Sequence, residues 1–222
     1  MPMKINNWML CYAVPEKTAQ QSYDFIEHYE IIFMAVFVIL VILLVLYIVH
    51  ENYRRDQELM KYAQTDALTG LYNKETTKLR TDEILSTDKD MIQAFLILDM
   101  DCFKQINDGY GHAVGDIVLQ KFGQLLRDIF REDDIVGRIG GDEFVVVMKN
   151  IKMKEMAIAK AEELLTKTQQ YEIKELNGSA ISISIGIAMA PEDGDCYMDL
   201  YKRADQALYQ AKRSGKARVC GY

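Results

Sequence analysis

Glycine is missing from the first 65 of the 222 residues; all thirteen glycines lie between Gly70 and Gly221. Tight turns of a globular fold depend on glycine, so the globular unit belongs to the last 157 residues (222 − 65). Cysteine is sparse too. Cys11, Cys102, Cys196 and Cys220 form no C-x-x-C pair and no zinc spacing, which excludes a disulfide framework or a structural metal knot and fits a reducing compartment. Basic residues are outnumbered, 26 Lys and Arg against 33 Asp and Glu, for a net charge of -7. That balance argues against a nucleic-acid partner, which needs basic surface, but leaves room for a small phosphate ligand. The chain has no internal repeat. Half of it is apolar, enough to pack a core and to exclude disorder over most of its length.

What is present begins with a long hydrophobic run. Ile31 to Val49 read IIFMAVFVILVILLVLYIV, nineteen residues without a charge. As a helix this is about 28 Å long at ~1.5 Å per residue, close to the thickness of a bilayer's hydrocarbon. It is apolar on every side, unlike a core helix. Its late start and acidic flank, Glu27 and Glu30, separate it from a cleaved signal peptide. Lys17 precedes it, whereas Arg54, Arg55 and Lys61 follow, so the positive-inside rule places the C-terminal part in the cytoplasm. The expected organisation is a tail 1–30, too short for a sensor domain, a single span 31–49, a helical stalk 50–65 and a globular domain 66–222.

The globular part alternates helix and strand patterns. Asn73 can cap a helix running to about Leu85. Ala94–Asp99 (AFLILD) is a continuous apolar run of the kind buried on both faces. Val114, Ile117, Val118, Phe122, Leu125, Leu126 and Ile129 fall on one helical stripe. DIVGRI and EFVVVM flank Gly140-Gly141 as a hairpin. A helix is expected over 153–169. Asn177-Gly178 suggests a second hairpin, with Ile181, Ile183, Ile185 and Ile187 alternating onto one buried face. Tyr197, Leu200, Tyr201, Ala204, Ala207, Leu208 and Ala211 form a last helical stripe. The expected class is α/β, a mixed or antiparallel central sheet flanked by helices, rather than a purely parallel doubly wound sheet.

Three segments carry chemistry. Asp99 ends a buried strand, where a carboxylate calls for compensation, commonly by a divalent cation. Asp101 is read more simply as a cap on the following helix. Gly140-Gly141-Asp142-Glu143-Phe144 places adjacent carboxylates at a hairpin tip, which repel unless cations lie between them and a polyphosphate. Lys104 to Asp116 is polar and glycine-rich and opens a long helix, whose N-terminus can hold an anion. His112, in its tight GYGH turn, reads as structural.

Taken together the segments resemble the GGDEF family, the diguanylate cyclases. The likeness covers residues 66–222, from DALTGLYNK through LDMDCFKQINDGYGHAVGD, GRIGGDEF and ISIGIA to ADQALYQAKRSGK. It implies a central mixed sheet related to nucleotidyl cyclases and polymerase palms, in a protein of the bacterial inner membrane. It implies condensation of two GTP into cyclic di-GMP with release of two pyrophosphates. By matching position, Asp99, Asp142, Glu143 and the Met100 carbonyl would hold Mg2+ or Mn2+, two per active site, with Glu143 also a candidate base. Phe103, Lys104, Lys212 and Lys216 would contact substrate, the lysines through phosphate. Asn107 and Asp116 would read guanine; a carboxylate at Asp116 suits guanine's N1–H and amine and opposes adenine. Lys216 stands where the family commonly has Arg, keeping the charge without the bidentate fork.

A two-fold symmetric product assembled from one GTP per domain implies a homodimer. Arg131 and Asp134 form an R-x-x-D five residues before Gly140, where the family carries a product-inhibition site for cyclic di-GMP. Without the resemblance the pair would be a solvated helix end. The rival reading is a non-catalytic receptor of GTP or cyclic di-GMP; loss of a carboxylate at 99, 142 or 143 would favour it, and none is lost.

Overall fold

A computed structural model of the chain describes residues 3–5, 8–10, 16–62, 64–89, 91–171, 173–176 and 181–222. They fall into two compact units, Met1–Met60 and Lys61–Tyr222. In the first, β1 (Met3–Ile5) pairs antiparallel with β2 (Trp8–Leu10), and α1 runs from Glu16 to Tyr62. Within α1, Tyr29–Arg54 is 26 residues long and apolar enough to cross a membrane, and its apolar side chains are exposed rather than packed in a core. A helix satisfies its backbone hydrogen bonds internally, as a membrane-crossing segment must. The expected stalk continues α1 to Tyr62 without a break.

The second unit is built on five strands in the order β4-β5-β3-β6-β7. Central β3 (Ile92–Met100) pairs antiparallel with β5 (Glu143–Ile151) on one side and β6 (Ile183–Ala190) on the other. β4 (Ile135–Gly140) closes the hairpin to β5, and β7 (Val219–Gly221) adds the parallel pair that makes the sheet mixed. The helices are α2 (Lys74–Thr87), α3 (Phe103–Tyr110), α4 (His112–Ile129), α5 (Lys154–Gln170) and α6 (Tyr197–Arg213).

Successive β3 residues point to opposite faces. Leu96, Leu98 and Met100 join one core with Phe122, Leu126 and Leu164; Phe95 and Ile97 join the other with Leu85, Leu200 and Leu208. That double burial is why β3 reads as an unbroken apolar run. The Asn73 cap is as expected, with its side-chain oxygen accepting from Thr76 N at 2.9 Å. The α4 stripe is buried, and Phe122 meets Phe144 edge-on at 4.9 Å between ring centroids.

Two expectations need correction. The second hairpin does not form from residues 173–176: Lys174–Leu176 is a short 3-10 turn, with Ile173 and Leu176 buried as core plugs. The partners of β6 are β3 and β7, so its edges are already taken. The Asn177-Gly178 turn itself lies outside the described residues. Nor does β6 have one exposed face, because every residue from Ile183 to Ala190 is buried. The isoleucine alternation records size instead. Gly186 lies against the backbone of α6, where a Cβ would overlap Ala204 O and Leu208 N, so the small residues mark the face on which the helix sits closest.

Candidate active site

The β3–β5 register places Asp99 directly opposite Glu143. Asp142 occupies the hairpin tip beside Gly141, whose φ of 21° suits glycine, and the Asp142 carbonyl accepts from Met100 N at 3.3 Å. Backbone pairing thus gathers Asp99, Met100, Asp142 and Glu143 at one end of the sheet. Lys212, on the last turn of α6, reaches Asp99 with a 2.7 Å ion pair. Burial pushes the Asp99 carboxyl above its usual range; Lys212 opposes that rise, and Asp142 and Asp101 add to it. Glu143 is also raised, first by burial and then by the charges of Asp99 and Asp142. Of the three carboxylates, only Asp99 meets an ammonium at hydrogen-bond distance among the described residues, and all three offer hard oxygens. This excess of negative charge fits Mg2+ or Mn2+.

Phe103 is buried at the start of α3, and Lys104 follows it, exposed. A Cβ at Gly115 would overlap the Asn107 side chain, so the glycine lets Asn107 lie against the start of α4, next to exposed Asp116. The structure therefore brings the two expected guanine readers to one helix junction. Lys216 Nζ is 3.3 Å from Cys102 Sγ, at the N-terminal end of α3. That contact, with Asp101 and Asp99 behind it, holds the ammonium above its usual pKa. His112 is exposed at the first position of α4.

Asp101 is not a helix cap. Its buried carboxylate accepts from Ser182 Oγ at 2.6 Å, Ser184 Oγ at 2.8 Å and Ala217 N at 3.1 Å. A buried charge needs such donors, and here they fasten the segment carrying Lys216 to the start of β6. Residue-by-residue reading missed this tie; Ser182 and Ser184 among the isoleucines were its signal.

A second set also went unread. Arg138 donates to the Gly141 carbonyl through Nε at 3.0 Å and Nη2 at 2.8 Å, while Nη1 meets Asp66 at 3.1 and 3.2 Å. Burial alone would raise Asp66, but donors from Thr69 and Arg138 outweigh it and hold the carboxyl below its usual range. Tyr72 N donates to Val136 O at 3.1 Å and Arg138 N to Tyr72 O at 2.8 Å, so Tyr72 bridges to β4 beside Gly137. A lone arginine in the strand IVGRIG was the clue.

Arg131 and Asp134 are brought together, though not side chain to side chain. Asp134 accepts from Arg131 N at 3.0 Å and Lys149 N at 3.1 Å and is buried. The Arg131 guanidinium is exposed, with no side-chain partner among the described residues.

The molecule is thus an α/β sandwich with an acidic hairpin centre and lysines from two sides. The family described as "Diguanylate cyclase, GGDEF domain" matches residues 63–218. The chain belongs to the GGDEF-domain family. It is 36% identical over 168 residues to diguanylate cyclase DgcS of Shewanella oneidensis, covering 74% of this chain and 55% of that one. It is 29% identical over 228 residues to diguanylate cyclase A of Treponema denticola, covering 99% and 58%. The chain therefore spans little more than half the length of these curated relatives. Among solved structures, the GGDEF domain of TpbB (YfiN) from Pseudomonas aeruginosa superposes with a TM-score of 0.66 at 35% identity, covering 71% of this chain and 93% of that one. The coiled coil and GGDEF domain of DgcB from Caulobacter crescentus, in complex with c-di-GMP, gives 0.67 at 25% identity over 78% and 93%.

Proposed function

We propose that this chain is a membrane-anchored diguanylate cyclase. Residues 31–49 span the bacterial inner membrane, 50–65 form the stalk, and 66–222 work in the cytoplasm as a homodimer. In each bond-forming step the 3′-oxygen of one GTP attacks the α-phosphorus of the other. The O3′–P bond forms, the bond from the α-phosphorus to the bridging oxygen breaks, pyrophosphate leaves with its electron pair, and the hydroxyl proton is lost. Two such steps give cyclic di-GMP.

The observation that carries this reading is the Asp99–Glu143 pairing across β3 and β5, with Asp142 at the adjoining tip. These carboxylates and the Met100 carbonyl would hold two divalent cations, which supply Lewis-acid activation of the attacking oxygen and offset phosphate charge. Glu143, raised by its surroundings, is a better proton acceptor than an ordinary carboxylate. Lys104, Lys212 and Lys216 neutralise the triphosphate, and the ion pair of Lys212 with Asp99 keeps that ammonium at the centre beforehand. Phe103 shapes the floor under the phosphates. Asn107 and Asp116 select guanine by hydrogen bonds that adenine cannot return. Arg131, exposed and with no side-chain partner among the described residues, would grip cyclic di-GMP for product inhibition, while Asp134 shapes the turn.

The test is turnover of the full chain in detergent micelles with GTP and Mg2+, read as pyrophosphate and cyclic dinucleotide across protein concentration. Specific activity should climb as monomer becomes dimer, and ATP should not compete. Binding of GTP without any product would overturn the reading in favour of a receptor.

A further inference from the structure

Glu143 and Lys212 of the centre also line a cavity of about 720 Å³ that extends along α6 past Asp205, Gln206, Tyr209 and Arg213. Asp205, Tyr209 and Arg213 recur at four-residue spacing and so share one helix face. None of them supports the core, which α6 reaches with Leu200, Ala204, Ala207, Leu208 and Ala211. Tyr209 is 61% exposed, and the Arg213 guanidinium lies 5.7 Å from its ring centroid. Asp205 makes no hydrogen bond or ion pair among the described residues, yet its charge is felt at both Glu143 and Tyr201. An unpartnered carboxylate one turn from an exposed aromatic ring, both beside the catalytic hairpin, has no structural task in the isolated unit.

The proposed reaction supplies one, and the inference rests on that reading. Each centre must handle two nucleotides. The GTP under attack is held by the lysines and guanine readers of its own domain. The attacking GTP is carried by the second copy and must bring its ribose up to Glu143 from outside. We propose that this cavity receives the ribose of the attacking nucleotide, with Asp205 accepting a hydrogen bond from its 2′-hydroxyl and the open face of Tyr209 packing on the nucleoside. A carboxylate suits a ribose hydroxyl because it accepts without competing as a donor. The 2′- and 3′-oxygens are on adjacent carbons, so holding one aims the other at the reacting phosphorus, as a near-attack geometry requires. The volume lies within the range of small-ligand sites.

The experiment compares GTP with 2′-deoxy-GTP on the full chain in detergent. The parent should favour GTP in kcat/KM by about 10–100-fold, the range for losing a hydrogen bond to a charged group. In Asp205→Ala that preference should shrink to about threefold or less, because the group that reads the hydroxyl is gone. Binding of 3′-deoxy-GTP, which can be attacked but cannot attack, should stay within about twofold of the parent, since the donor site is untouched. Tyr209→Ala should lower kcat more than Tyr209→Phe does, separating ring packing from the hydroxyl. Both positions are exposed, and matched circular dichroism melts will show that the variants fold. An Asp205→Ala protein that keeps the parent's full preference for GTP overturns the site, as does a parent with no preference. A parent that makes no cyclic di-GMP instead sinks the cyclase reading, and the site with it.

Discussion

Glu143→Gln should abolish activity and, without metal, stabilise the fold. The amide has the shape of the carboxylate but not its charge. In the parent, Glu143 faces Asp99 across the β3–β5 pair; burial raises both carboxyls, and the Asp99 charge raises Glu143 further. Like charges in directly opposed strand positions disfavour the fold by roughly 0.2–1 kcal/mol. Removing one should raise Tm by up to about 4 °C for a unit of this size. The pH dependence has a definite sign. A carboxyl whose pKa is raised on folding leaves the fold unpenalised below its unfolded pKa, and the penalty grows as pH rises through the folded value. The variant's advantage should therefore be small in acid and full at neutral pH. Mg2+ should raise the parent's Tm more than the variant's, because the parent gains a ligand's charge compensation. Turnover should fall about 100-fold or more, through loss of a base and a cation ligand. Differential scanning calorimetry in EDTA at pH 4 and 7.5, with a turnover assay beside it, reads all of this. A variant less stable than its parent at pH 7.5 in EDTA, with turnover near the parent's, would refute the reasoning.

Three further outcomes follow from other contacts. Arg138→Ala removes two hydrogen bonds to Gly141 and the ion pair to Asp66; it should cost about 1.5–3 kcal/mol in a denaturant melt and lower kcat more than it changes GTP affinity. Arg131→Ala should release the reaction from inhibition by cyclic di-GMP at an unchanged initial rate, whereas Asp134→Ala should lower Tm because two backbone N–H groups lose their acceptor; equal Tm values for the two variants would contradict that division. Gly186→Ala should destabilise the fold by several degrees in a thermal melt, because its Cβ meets the backbone of α6 rather than a side chain that can swing away.

Much of this was legible in the sequence because the signals were redundant. Asn73, the unbroken run at β3 and the stripe on α4 each carry a local cause that tertiary packing then uses. Asp99, Asp142 and Glu143 stood out through the combination of segments and the family resemblance; alone, a strand-end Asp or a Gly-Gly-Asp turn reads as well structurally. What escaped were pairings between distant segments. Nothing near Asp101 names Ser182 and Ser184 as its donors, since those residues are some eighty positions away. Arg138 and Asp66 are separated by 72 residues, and neither is unusual alone. β6 misled because isoleucines at every second position look like a half-buried strand, while the small residues between them were buried by a helix whose approach only the three-dimensional fold reveals.

The clamp between Asp66 and Arg138 also has a practical meaning for anyone building chimeras. The segment from Gln64 to Asn73 looks like a connector, but it is bridged to β4 at Tyr72 and tied through one guanidinium to the turn that bears Asp142. A fusion joint cut at Asn73, where the first helix of the globular unit is capped, would discard half of that clamp and leave Arg138 without its counter-ion. A joint made before Gln64 would keep it whole. Foreign modules should therefore be spliced upstream of residue 64, and a graft that respects this limit inherits an Asp142 turn already held in place.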